Sequence, residues 1–255
     1  MNKIMKIGVA ALAVSAFSAV FANEVEAESV SEARAARLAA LQESVIGWTP
    51  VAVGLATPVQ LPWGMKMWDV YGLDLNLFYS DAPRMYGIDL SAGGCTTRDK
   101  LIGMAVGGLF NYADADVYGL RVSGIVNMCN ANLYGADIGS FGLHRNIYGL
   151  DVELLGAIQE NVCGLQLSGL ANITKVESYG ATIALGANVA RVAYGFQGSL
   201  IFNQTEELHG CQISLVNIAQ RCDWGFQIGL VNLILDNKVK VLPIINGYFG
   251  EQVTR

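Results

Sequence analysis

Four aspartates stand at one repeated place in the chain. Asp74, Asp89, Asp137 and Asp151 each follow a glycine by two positions, at Gly72, Gly87, Gly135 and Gly149. If the segments that carry them stack, their carboxylates share one face. A row of such oxygens could take Ca2+ or a basic partner surface. Ala105 and Arg121 interrupt the series, and a solvated outer face is the simpler expectation. A second column is aromatic: Tyr71, Tyr86, Tyr118, Tyr134, Tyr148, Tyr179 and Tyr194 each precede a repeat glycine. It could be a stacking platform for sugars, or rings packed on one another along the stack.

Other chemistry is sparse. The cysteines are Cys95, Cys129, Cys163, Cys211 and Cys222, an odd number with no C-x-x-C, so a zinc or redox pair is not indicated. Cys211 and Cys222 are the best bridge candidate within one unit. The histidines, His144 and His209, lie far apart in sequence, and His209 occupies a tyrosine slot. There is no G-x-S-x-G, no H-E-x-x-H and no G-K-[ST] after the Gly107–Gly108 pair. No catalytic, cofactor-binding or metal-ligating residue is therefore assigned, no cofactor is expected, and the chain reads as a non-enzyme. A hydrolase with dispersed carboxylates is the remaining enzymatic class.

The elements that must position these columns are internal repeats. Their glycines are Gly72, Gly87, Gly103, Gly119, Gly135, Gly149, Gly164, Gly180, Gly195, Gly210 and Gly225, spaced by 14 to 16 residues. A polar residue follows two positions on, with apolar residues on both sides of it, as in Leu165-Gln166-Leu167. Seven or eight positions after the glycine an asparagine often stands, as at Asn111, Asn127, Asn172, Asn188, Asn203, Asn217 and Asn232. Fifteen residues cannot hold a helix, a strand and their connections. Each unit is therefore one strand with a turn, or two short strands with two turns.

Two all-β architectures fit. In a β-solenoid of about eleven 15-residue units, each unit is one coil and equivalent residues stack about 4.8 Å apart. Glycine, asparagine and the polar position then recur in register, and asparagines can bond one another up the stack. The alternative is an antiparallel outer-membrane β-barrel with one strand per unit, its tyrosines forming interface girdles. The solenoid is favoured, because antiparallel neighbours gain nothing from identical sequence. Apolar residues lie two before the glycine in the first seven units (Val70, Met85, Leu101, Val117, Leu133, Ile147 and Val162), and the next apolar positions are one and three after it. A corner at the glycine would turn all of these inward, Leu165 and Leu167 included, and leave Gln166 and its equivalents outside.

The flanks complete the organisation. Residues 1–22 read as a signal peptide, with Lys3 and Lys6 before an apolar run that ends at Val20-Phe21-Ala22. Residues 23–47 read as a short amphipathic helix or linker, residues 48–249 as the β repeat domain and 250–255 as a tail. Charged residues are only 15% of the chain and its net charge is -6, which argues against disorder and against a nucleic-acid partner.

Units such as Gly210-Cys211-Gln212-Ile213-Ser214-Leu215-Val216-Asn217 and Gly225-Phe226-Gln227-Ile228-Gly229-Leu230-Val231-Asn232 resemble the G-φ-Q-φ-G-φ-φ-N repeats of a family of bacterial surface-repeat proteins. The closing Leu242-Pro243-Ile244-Ile245-Asn246 is similar to that family's ending. The resemblance implies a repeat architecture and brings no chemistry with it. The expectation is an exported, non-enzymatic protein of the cell envelope, in the outer membrane, at the cell surface or in the periplasm. It would act as a scaffold or binding face for an envelope or surface partner, and the alternative is an outer-membrane barrel forming a small pore or anchor.

Overall fold

The computed structural model describes residues 45–63 and 67–249, with Ala36, Ala39 and Ala40 helical before them. The expected signal peptide, nearly all of the expected N-terminal helix and the tail lie outside the described residues. β1 (Gly47–Ala56) and β2 (Val59–Leu61) form an antiparallel hairpin. There follow β3 (Trp68–Ser91), β4 (Gly94–Gly107), β5 (Phe110–Ala113), β6 (Asp116–Ser123), β7 (Val126–Ser168), β8 (Ala171–Ala184), β9 (Ala187–Ser199), β10 (Phe202–Ile213) and β11 (Val216–Ile234). β12 (Val241–Phe249) closes antiparallel on β11.

From β1 to β11, all pairing outside the β1–β2 hairpin is parallel and joins equivalent residues of successive units. Gly87 pairs with Gly103, Gly103 with Gly119 and Gly119 with Gly135. The same row runs from Gly164 through Gly180, Gly195 and Gly210 to Gly225. The fold is a β-solenoid. The barrel alternative requires antiparallel neighbours, and this register overturns it. The hairpin at one end and β12 at the other cover the coils that would otherwise present open strand edges.

The stacking explains the glycine column. All eleven glycines have positive φ, from +111° at Gly180 to +152° at Gly210, a region that side chains rarely tolerate. Space is closed as well: a Cβ on Gly164 would lie 2.0 Å from the carbonyl oxygen of Gly149, and one on Gly225 would lie 1.9 Å from that of Gly210. Ladder pairing continues on both sides of these residues. Each glycine is therefore a backbone reversal within a paired strand, pressed against the coil below.

Side-chain parity runs through the glycine unbroken, which reverses the expected assignment of inside and outside. Val162 and Gln166, on either side of Gly164, both point inward, and Gln166 is 0% exposed while Leu165 is 39% exposed. Leu167 is half-buried. Asp74, Asp89, Arg121, Asp137, Asp151, Gln197, Gln212 and Gln227 are buried in the same way. The physical reason is positional: residues two before and two after the glycine lie four apart on one strand face. Burying Val70, Met85, Leu101 and Leu133 brings the polar column in with them.

Hydrogen bonds between coils make that interior tolerable. Asn172 Nδ2 donates to Asn188 Oδ1, Asn188 to Asn203, Asn203 to Asn217 and Asn217 to Asn232, at 2.9–3.1 Å. The same amides reach backbone carbonyls, as Asn188 does to Gly198 at 2.7 Å. Gln227 Nε2 donates to Gln212 Oε1 and Gln212 Nε2 to Gln197 Oε1, each at 2.8 Å. Gln166 Nε2 donates to Asp151 Oδ2 at 2.8 Å and its Oε1 accepts from Gln159 Nε2 at 2.7 Å.

Gln166→Ala leaves buried partners unpaired and is expected to cost about 1–3 kcal/mol. Gly164→Val strains a positive φ and is expected to cost about 1–3 kcal/mol or more. Leu165→Ala removes a partly exposed side chain and is expected to cost under about 1 kcal/mol. Thermal melts of the three variants check this ranking, and a leucine variant more damaging than the glutamine variant would restore the opposite orientation.

Candidate functional site

The interior holds one concentration of ionisable groups. β7 passes through it repeatedly and supplies Asp137, His144, Asp151 and Glu153, while Arg121 comes from β6. Asp137, Asp151 and Arg121 belong to the polar column two after the glycines. His144 Nε2 lies 3.3 Å from Asp137 Oδ2, 3.9 Å from Asp151 Oδ1 and 4.0 Å from Glu153 Oε1. The Arg121 guanidinium bonds Asp137 Oδ2, donates to Met128 O at 2.7 Å and lies 3.3 Å from His144 Nδ1.

Burial governs the protonation of these groups. It pushes Asp151 up to about 7, with the Asp137 carboxylate adding to the effect. It pushes Glu153 up to about 9, reinforced by Asp151 and Asp137. It holds His144 well below the usual imidazole range, and the neighbouring Arg121 cation acts in the same direction. Further along the same column, burial raises Asp74 to about 7, helped by the Asp89 charge, and raises Asp89 to about 6 against the Ser80 hydroxyl bond. The aspartates therefore form no outward row for Ca2+ or for a basic partner surface.

Sequence reasoning gave His144 no role and did not single out Glu153. The available signal was a break in pattern. Glu153 stands four after Gly149, where most units carry a small residue such as Ser123, Gly139 or Ser168.

The outer surface carries the second feature. Tyr118, Tyr134 and Tyr148 stack with centroids 4.9 Å apart at each step, Tyr71 stacks on Tyr86 at 4.6 Å, and Tyr179, Tyr194 and His209 stack at 4.5 Å per step. Ring faces are used up on one another and edges face outward, so the column is no platform for sugars, which stack on faces. The outward ends of the coils form a leucine row. Leu170, Leu185, Leu200 and Leu215 are 49–63% exposed; backbone bonds from Leu200 N to Leu185 O and from Leu215 N to Leu200 O join three of them, while Leu170 O accepts from Gly186 N, next to Leu185.

Two further clusters carry less. Glu207, His209 and Asp223 converge near the surface, but Arg221 bonds Glu207 Oε1 at 2.5 Å and lies 3.2 Å from Asp223 Oδ1, so a cation already stands between the two carboxylates. All five cysteines are free thiols. Cys222 is buried in the core and Cys211 points to the outer side, so the expected bridge within this unit does not form. No family model matches the chain, and neither a curated protein nor a solved structure does.

Asp74 and Asp89 have raised folded-state values, so the folded protein holds protons that the unfolded chain has released between about pH 4 and 7. Their stability contribution is complete below the ordinary carboxylate value and is lost as pH rises through about 6 to 7. Asp74→Asn keeps an oxygen for the bond from Asn76 Nδ2 (2.7 Å). It is expected to melt near the wild-type temperature at pH 4 and several degrees above it at pH 8. Paired melts across that range measure the difference.

Proposed function

We propose that the chain is a non-enzymatic, exported repeat protein of the cell envelope or surface, whose solenoid is a scaffold presenting an apolar outer face to a partner. The observation that carries this reading is the leucine row, with Leu185, Leu200 and Leu215 in register along the coils, Leu170 one place out of register beside them, and all four 49–63% exposed. Soluble monomers rarely leave a contiguous apolar patch of this kind uncovered, and such patches mark association with protein or membrane. Three further features support it. The interior is filled by side chains and hydrogen-bonded ladders, which suits a scaffold better than a pore. The N-terminal residues have the composition of an export signal, and the repeat units resemble those of bacterial surface-repeat proteins.

Cell fractionation tests the reading. The full chain expressed with its own N-terminus is expected outside the cytoplasm and in the envelope fraction. Replacing Leu170, Leu185 and Leu200 together by Ser is expected to shift it to the soluble exported fraction with its melting temperature nearly unchanged. Retention in the cytoplasm, or an envelope association indifferent to the triple change, would reject the proposal.

A further inference from the structure

We propose that Asp137, His144, Asp151 and Glu153 form an interior site for one divalent transition-metal cation of the Zn2+ class. Four observations point to it, and none depends on the outer face.

The first is a gap in the asparagine ladder. Asn111 Nδ2 donates to Asn127 Oδ1, and the ladder resumes with Asn172. At the 15-residue spacing between Asn127 and Asn172 stand Gly142 and Ala157, and Ala157 pairs directly with Asn172. The two coils in this gap are those that bring in His144 and Glu153.

The second is room. A Cβ on Gly142 would lie 2.6 Å from His144 Nε2 and 2.9 Å from Glu153 Oε1, and one on Gly139 would lie 2.9 Å from Glu153 Oε2. Two glycines thus keep free the space around the donor atoms.

The third is unused donor capacity. His144 Nε2, Asp137 Oδ1, Asp151 Oδ1 and both Glu153 carboxylate oxygens are buried without a well-formed hydrogen bond, although the Asn127 amide lies beside Asp137 and Glu153, and the His144 side chain is 0% exposed and aimed into the carboxylates. Buried polar atoms are normally satisfied, so five together call for an occupant. One ligand atom each from Asp137, His144 and Glu153 already lies within 4.8 Å of the others. Tetrahedral bonds of about 2.0–2.1 Å place ligand atoms roughly 3.3 Å apart, and the carboxylate oxygens lie 3.3, 3.9 and 4.0 Å from Nε2. Each of these three distances lies within about 1 Å of the tetrahedral spacing.

The fourth is charge. Ligation requires the carboxylates ionised, and three ionised carboxylates beside one guanidinium would carry a net charge of 1 - 3 = -2 in a dry interior. A divalent cation brings that to zero. An imidazole with carboxylates suits zinc and its neighbours better than Ca2+, which prefers oxygen alone. With Nε2 on the cation, Nδ1 carries the imidazole proton, so the Arg121 N–H that now reaches Nδ1 at 3.3 Å turns from it while the bonds to Met128 O and Asp137 remain.

The test uses the full chain, stripped with a chelator and titrated with Zn2+, reading bound metal per chain and melting temperature. One equivalent is expected at micromolar Zn2+, with a melting temperature raised by several degrees. Glu153→Gln and His144→Gln are each expected to weaken binding at least tenfold, and Glu207→Gln in the surface cluster to leave stoichiometry and affinity unchanged. Glu153→Gln places in the interior an amide of the kind that already fills it at Gln159 and Gln166, so it keeps the fold if one variant fails. Absence of stoichiometric Zn2+ in the wild-type chain, or Zn2+ binding that Glu153→Gln leaves intact, would overturn the site. Loss of binding in Glu207→Gln alone would place the metal on the surface and overturn it equally.

Discussion

Parallel backbone pairing between successive coils is the constraint on which the rest of the molecule depends. Once each coil bonds to an equivalent coil, like residues lie on like at about 4.8 Å. Each position in the unit then has to be compatible with a copy of itself above and below. Asparagine meets this by donating and accepting along the stack, glutamine does the same, and tyrosine does so by ring stacking. Glycine meets it by having no side chain, since its α-carbon rests on the carbonyl oxygen of the coil beneath. A charged residue repeated in this way would meet its own charge at every step.

That last condition accounts for the uneven polar column. Toward the C-terminal end it is Gln166, Thr182, Gln197, Gln212 and Gln227, which are neutral and able to pair. Toward the N-terminal end it contains four aspartates, broken by Ala105 and offset by Arg121. Burial drives the unpaired carboxylates toward their neutral forms, which at Asp74 and Asp89 act much as the amides do elsewhere. Around Asp137 the carboxylates are too many for this solution alone, and there the ladder amides give way to glycine, alanine and histidine.

The arrangement also inverts the usual partition of polar and apolar side chains. The slender interior takes two apolar clusters and a network of amides and hydroxyls, while leucines and isoleucines line the outside. The amide ladders cost little because their side-chain N–H groups donate to the next coil. An exterior of this kind is the feature on which the proposed envelope or surface partner rests.

Much of this was legible in the residues alone. The glycine spacing identified the coil length, and the recurrence of Gly, Asn and the polar position in register favoured stacking over a barrel. Recurrence likewise anticipated amide ladders and ring-on-ring packing. What the residues left open was direction. An alternation of polar and apolar positions is the same pattern whichever face is buried, and the habit that apolar means inside is a one-way rule. Only the folded chain decided it: strand parity persists through Gly164, so the apolar residue before it and Gln166 after it share the inward face. The cluster at Asp137 was hidden for a related reason. His144 and Glu153 sit in positions filled by unrelated residues in other units, and only the wrapping of β7 brings them within reach of Asp137 and Asp151.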